Sequence, residues 1–221
     1  MMKSSLRSYS ENNSFPIFPA FFFPNISYFH QISRFPCVYL EKKEHFIKQT
    51  FRNRCYILSA SGPLLINVPI IKQKEKKTSM EETKIFYDEK WNKRAWRSIY
   101  SAYGKSPYFE FYKDDIENFF TKKYSSLFDM NFYIILYFFK KFNIKTSLIP
   151  TTNFEIIDAK IDFRNYFSKE KPSIIEDKDN NNEEYIQCFD DKLPFFKNLS
   201  CIDLLFNLGN NCYNYINFYK K

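Results

Sequence analysis

FPIFPAFFFPNISYFHQISRFPCVYLEKK, residues 15–43, is the stretch whose reading decides the fold. Its first nine residues form an apolar run that reads as a buried strand despite the prolines, and CVYLEKK (37–43) reads as a second strand. Between them NISYFHQISRF has the length of a short helix. Asn25 is its expected N-cap, because a short amide side chain accepts from the backbone N–H groups that open a helix. Strand, helix and strand make a β-α-β unit if the two strands run parallel.

Outward from this unit, RCYIL and PLLINVPI are joined by SASG and read as a hairpin, with Gly62 where a positive φ is needed. Residues 71–83, IKQKEKKTSMEET, are a charged loop. The character then changes to helix. WNKRAWRSIYSAYG puts Trp96, Ile99, Ala102 and Tyr103 on one face and ends on Gly104, a C′ residue by position. SPYFEFYKDDIENFF offers Ser106 as cap and Pro107 as first helical residue. SSLFDMNFYIILYFFKKFN is the most apolar helix of the chain. TSLIP and YIQCF read as strands, with the polar loop KEKPSIIEDKDNNNEE (169–184) before the latter. NLSCIDLLFNLGNN closes with Ser200 as N-cap, Asp203 as its capping-box partner and Gly209 as stop. The expected fold class is α/β or α+β. A mixed sheet from the N-terminal half, β-α-β plus hairpin, packs with a helix-rich C-terminal half. Residues 1–14 are expected as a disordered tail and 15–221 as one domain.

With 44% hydrophobic residues, 27 Phe and 17 Tyr, this is a folding sequence, and three glycines leave its turns to Asn, Asp, Ser and proline. The net charge of +8 is uneven, with 18 basic and 9 acidic side chains in residues 1–110 against 15 and 16 in the rest. A basic front half suits a polyanion, although Lys, Asn, Ile, Phe and Tyr are jointly abundant as AT-rich codons dictate. Nucleic-acid binding has charge alone behind it and is set aside. Five cysteines without a C-x-x-C and two histidines point to buried thiols in a reducing cytosol and to no metal site. FYIILYFFKKFNI is too short an apolar run to span a bilayer. Glycine-rich phosphate loops and the G-x-S-x-G elbow are absent, so any nucleotide is held by side chains. No cofactor is expected.

FPNISYFHQI, FIKQTFRNRCYILSASGPLLINVPI, WNKRAWRSIYSAYGKSPYFEFY and NLSCIDLLFNLG, in this order and spacing over roughly residues 17–210, resemble the WbqC-like protein family. The resemblance implies a bacterial, cytoplasmic protein associated with O-antigen and other surface-polysaccharide genes. It also implies a transferase, with an amino acid such as glycine among the groups transferred. Relatives carry an acidic pair followed by Val-Gln where this chain has LEKKEH, so Glu41 or Glu44 takes that place here.

Arg52, Asn53 and Arg54 open an apolar strand with two guanidiniums around one amide, an arrangement suited to a phosphate or carboxylate. Strand alternation would put Arg52 and Arg54 on one face and Asn53 on the other. The alternative is a buried network paired with acids from the second half. Tyr28 and His30 follow the first strand, where a β-α-β unit exposes its strand ends to ligands. His30 has the pKa class for proton transfer, and His45, beside Glu44 and Glu41, is an equal candidate; a plain surface histidine is the competing reading. Trp96 and Arg97 join a stacking surface to a guanidinium, as a sugar or nucleobase site does, while the same stripe also fits a core. Cys55 is the weakest candidate, a thiol near two arginines on an apolar strand. The leading expectation is a transferase in which Arg52, Arg54 and Arg97 hold an anionic activated donor and His30 or His45 moves a proton. The alternative is a non-catalytic binding protein of the same family.

Overall fold

The computed structural model describes residues 15–71, 77–87, 90–154, 158, 161–167, 173–174 and 184–218. The expected tail, residues 1–14, lies outside them, as do residues 72–76 of the charged loop and most of the polar loop 169–184.

The opening stretch folds as its pattern predicts. β1 (Ile17–Pro19), α1 (Ile26–Ile32) and β2 (Cys37–Glu41) form the β-α-β unit, and β1 and β2 are parallel with Ile17 opposite Tyr39 and Pro19 opposite Glu41. The Asn25 side chain caps α1 by accepting from the Tyr28 N–H at 3.2 Å. β3 (Arg54–Ser59) and β4 (Gly62–Asn67) form the antiparallel hairpin, and Gly62 holds φ 99°, which other residues adopt only under strain.

Three helices then stack along the chain: α2 (Trp91–Tyr103), α3 (Phe109–Thr121) and α4 (Leu127–Lys141). Ser126 caps α4, accepting from Asp129 N–H, while Lys140 and Lys141 sit in its last turn, where the helix dipole favours cations. β5 (Ser147–Pro150) joins β2 in parallel and completes a sheet ordered β1-β2-β5 among the described residues. β6 (Ser173–Ile174) pairs antiparallel with β7 (Phe196–Lys197). The chain then enters α5 (Cys201–Leu208), capped by Ser200, and a 3₁₀ turn at Gly209–Asn211 leads into α6 (Cys212–Phe218). The fold class is therefore the mixed α/β arrangement expected, with helices mainly in the C-terminal half. One aromatic-rich core cluster joins both halves, from Phe18 and Phe21–Phe23 through Phe138 and Phe142 to Phe206 and Ile216.

Four local expectations change. Ser106 does not cap α3, which starts at Phe109 behind Tyr108; the Ser106 hydroxyl lies 2.8 Å from Cys188 Sγ instead. Gly104 holds φ −57°, so the glycine answers to space rather than to a left-handed turn: a Cβ there would stand 2.8 Å from the Tyr100 carbonyl oxygen. YIQCF (185–189) is irregular, and the strand forms downstream at Phe196. Asp203 makes no capping box, because tertiary partners claim its carboxylate; Gly209, at φ 55°, does end α5. Turn chemistry is also redistributed. Asn143 and Asn198 take positive φ as their residue type allows, but so do Phe23 and Phe189, for which such a backbone carries strain.

Candidate functional site

Among the described residues two places gather polar side chains, and only some of the residues singled out from sequence fall at either. The first is the carboxyl edge of the parallel sheet, where open α/β folds place ligands. Glu41 ends β2 fully buried. Its Oε1 accepts from Lys43 N–H and from Thr151 Oγ1, each at 2.7 Å, and its Oε2 accepts from Arg164 Nη1 at 3.1 Å. Arg164 in turn grips Asp162 through Nε at 2.9 Å and Nη2 at 2.6 Å. Beside it Arg52, also fully buried, meets Glu44 two-pronged: Nε donates to Oε1 at 2.8 Å and Nη2 to Oε2 at 2.5 Å. Arg52 donates further to the Arg164 carbonyl at 3.0 Å and the Thr50 hydroxyl at 3.4 Å. Tyr28 is buried beneath this network with its hydroxyl on the Pro19 carbonyl at 3.0 Å. Burial pushes the Glu44 carboxyl up against the pull of Arg52, and pushes the Tyr28 phenol well above its ordinary value.

Of the N-terminal triad, then, Arg52 alone joins the network. β3 begins at Arg54, so the alternation that would pair Arg52 with Arg54 does not extend back to residue 52. Arg54 Nε reaches Asn67 Oδ1 at 3.4 Å, and the Asn53 amide donates to Asn67 Oδ1 and the Val68 carbonyl at 3.0 and 2.9 Å. The acids that Arg52 meets come from its own neighbourhood, and the second half of the chain contributes Arg164. His45 is exposed in the loop that bridges to Ser79. Cys55 is buried and its thiol is raised by burial, the opposite of what a nucleophile needs.

The second place is an open cleft of about 1220 Å³ between the end of α2, residues 184–192, and the α5–α6 stretch. Aromatic faces line it at Tyr100, Tyr185, Phe189 and Tyr215, and amides at Gln187, Asn207, Asn211 and Asn214. Its inner wall hangs on one carboxylate. Asp203 is fully buried; Oδ1 accepts from the Tyr103 hydroxyl at 2.8 Å, and Oδ2 accepts from the Tyr185 hydroxyl and from Gln187 Nε2, the latter at 3.2 Å. Gln187 also clasps β7, exchanging bonds of 2.8 and 2.9 Å with the backbone of Phe196. Burial raises the Asp203 carboxyl to about 6 even with these donors around it. Cys188 borders the same cleft, and burial raises its thiol too.

Arg97 stands next to this cleft. It is exposed on α2 and lines a pocket of about 380 Å³ that shares Ser101, Ala102 and Phe189 with the larger space. His30 faces the cleft only through Tyr215, whose ring centroid is 5.8 Å away; Nδ1 donates to the Ile216 carbonyl at 3.1 Å, and the enclosing protein lowers its pKa to about 4. Trp96 stacks on Phe109 at 6.2 Å in the α2–α3 interface, the core role that its stripe also allowed. Sequence reasoning missed Tyr185, Gln187 and the asparagine row. One signal was present: Asp203 is the sole acidic residue in CIDLLFNL, a helix otherwise almost entirely apolar.

Among the described residues no group of three or more His, Cys, Asp or Glu is placed to hold a metal ion, and no helix is long and apolar enough to cross a membrane. The architecture is that of a mixed α/β protein with a buried ion network at its sheet edge and an open cleft among its helices. Comparison with known families is specific: a sequence model of the WbqC-like protein family matches residues 20–171, well over half the chain, and the chain belongs to that family. That match contains the whole ion network and Arg97, and ends before the 184–192 wall of the cleft. No curated protein and no solved structure matches.

Proposed function

We propose that this chain is a cytoplasmic transferase of surface-polysaccharide assembly, taking a sugar, acyl or aminoacyl group from an anionic activated donor. Family membership supports the general role, and the observation that carries the donor class is Arg97: an exposed guanidinium at a pocket that shares Ser101, Ala102 and Phe189 with a cleft large enough for a substrate. A planar guanidinium matches phosphate or carboxylate two-pronged. Arg52 and Arg54 enter this reading differently from Arg97. Arg52 directs four hydrogen bonds into the protein and supports the sheet edge, while Arg54 and Asn53 fasten the hairpin to Asn67. Of the two histidines, His30 packs against Tyr215 of the cleft lining, and the burial that keeps its ring neutral also opposes its taking up a proton, so it would act only as a weak base.

A thermal-shift panel tests the reading, with nucleotide sugars, aminoacyl and acyl phosphates, CoA and plain nucleotides. A donor at 100 times its dissociation constant adds about 2.7 kcal/mol, a rise of roughly 5–10 °C for a chain of this size. The expected result is a rise confined to one donor class and lost in Arg97→Ala. A rise that survives Arg97→Ala removes Arg97 from the donor site, and no rise with any donor removes the transferase reading.

The alternative, a non-catalytic interaction protein, is favoured by the hairpin, where β4 carries Leu64 and Leu65 at 37% and 38% exposure on a strand whose pairing, among the described residues, is with β3 alone. It predicts a stable protein complex in sedimentation that Leu64→Lys with Leu65→Lys dissolves.

A further inference from the structure

Residues 207, 211 and 214 are all asparagine, and although the turn at Gly209–Asn211 interrupts the helix between the first and the last, the fold brings all three to the lining of the cleft. An amide both donates and accepts, and so does a sugar hydroxyl; a row of amides therefore suits a row of hydroxyls better than it suits a phosphate, which accepts only. Asn211 and Asn214 are exposed to the cleft. Asn207 is buried and engaged on both sides, donating to the Asp203 carbonyl at 2.8 Å and accepting from Cys188 Sγ at 3.6 Å.

The same cleft is lined by the aromatic rings of Phe189 and Tyr215, both half-buried, and by the buried Tyr185. Tyr185 and Tyr215 meet edge-on with centroids 5.2 Å apart, and the Tyr185 hydroxyl is fixed by Asp203. Phe189 holds φ 70°, a strained backbone for a bulky residue, and stands where the cleft meets the Arg97 pocket. Such faces accept the C–H side of a pyranose ring as readily as a base. Charge separates the two. The cleft is lined by Lys105 and Lys192 against Glu184, Asp190 and Asp191, one negative charge in excess, and Lys192 already lies 3.7 Å from Asp191. That field disfavours a diphosphate within the cleft itself. A space of about 1220 Å³ also exceeds the roughly 300–1000 Å³ of ordinary small-ligand pockets.

We infer that the cleft binds an uncharged saccharide of at least two rings, lying with its hydroxyls on Asn211 and Asn214 and its ring faces on Phe189 and Tyr215. This deepens the transferase reading, on which it rests for its role: the saccharide is the acceptor, and the donor's anion belongs to Arg97 in the neighbouring pocket.

The test is calorimetry and ligand-observed NMR on the full chain, with N-acetylglucosamine, its β1,4-linked dimer, cellobiose and α-linked mannobiose as probes and UDP as the anionic control. At least one disaccharide is expected to bind more tightly than its monosaccharide. Asn211→Ala with Asn214→Ala, two exposed positions that leave the fold alone, should weaken it by about tenfold or more, and Arg97→Ala should leave it unchanged. No saccharide binding overturns the inference, as does UDP binding that the Asn211/Asn214 double variant abolishes. The two readings fail separately. A donor-induced thermal rise lost in Arg97→Ala without any saccharide binding leaves the transferase and removes the acceptor cleft. Saccharide binding without any donor response does the reverse.

Discussion

The sheet edge and the cleft both gather polar side chains, and they differ in where those side chains point. At the edge, Glu41, Glu44, Arg52 and Arg164 are buried and aimed at one another, each charge answered within about one side-chain length. In the cleft, Lys105, Asn211 and Asn214 are exposed and aimed outward, and the lone fully buried charge behind them, Asp203, holds the wall rather than the space. A charge cluster reads as a binding site in sequence; in three dimensions the question is whether its hydrogen bonds are already made.

Breaking the first region should have the largest effect. Arg52→Ala leaves Glu44 buried without its two-pronged partner and should cost about 3–5 kcal/mol, read from denaturant unfolding. Replacing both partners at once, Arg52→Met with Glu44→Leu, should recover most of that loss, because two apolar groups of similar volume need no charge compensation. An Arg52→Ala protein as stable as the parent would mean that the guanidinium is not the structural tie its contacts describe.

The second region responds to pH. Asp203 has its pKa raised to about 6 in the fold from an ordinary 3.8, so the folded state holds this proton more tightly than the unfolded chain does. Its contribution favours folding below about pH 4 and is lost as pH rises to 6, about 3 kcal/mol in all. His30 acts in the opposite sense: its pKa is lowered to about 4 in the fold, so its contribution grows as pH rises from there to its ordinary 6.5. The overall curve blends the two, and variants separate them. Stability of Asp203→Asn relative to the parent should climb between about pH 4 and 6, while that of His30→Gln should fall over the same window. A flat difference for Asp203→Asn would take the carboxylate out of the wall's support.

α1 touches both regions, turning Tyr28 toward the network and His30 toward Tyr215. Asn25→Ala, which removes its cap, should cost about 1 kcal/mol and lower both regions together. Asn25→Ser should restore most of it, since serine accepts the same bond.

What could be read in advance follows the range of the interaction. The β-α-β unit, the hairpin with Gly62 and the caps Asn25 and Ser200 depend on neighbours within a few residues, and pattern reveals them. Ser106 looked like a cap because Pro107 follows it, but a thiol 82 residues away claims its hydroxyl. Asp203 sits three residues after Ser200 as a capping-box acid would, and its true partners are Tyr103, 100 residues off, and Tyr185. The cleft draws on residues 100–107, 184–192 and 207–215, three stretches with no local reason to meet. Arg52 and Arg97 illustrate the limit together: both are arginines beside apolar runs, and only packing decides that one turns inward and the other out.

Arg97 gives the smallest structural effect and the sharpest functional contrast. Exposed on α2 with its guanidinium beside the pocket it shares with the hairpin turn, it can be cut to alanine at a cost within about 0.5 kcal/mol, because an exposed helix position tolerates alanine well. If Arg97 contacts the donor, the same change removes a charge-assisted bond worth about 1.5–3 kcal/mol, a loss of roughly ten- to a hundredfold in affinity. Arg97→Lys separates charge from shape: a point charge restores attraction to any anion but not the two-pronged fit, so affinity should recover only in part. Full recovery with lysine would make Arg97 a general electrostatic attractor, and unchanged donor affinity in Arg97→Ala would move anion recognition to Lys105 or Lys192 on the cleft rim, or back to the sheet edge. In the last case the contrast between an inward network and an outward cleft would no longer separate structure from function, because a donor would then have to open the Arg52–Glu44 pair to bind, and its affinity would rise in Glu44→Gln, where Arg52 keeps its place but loses its competing carboxylate.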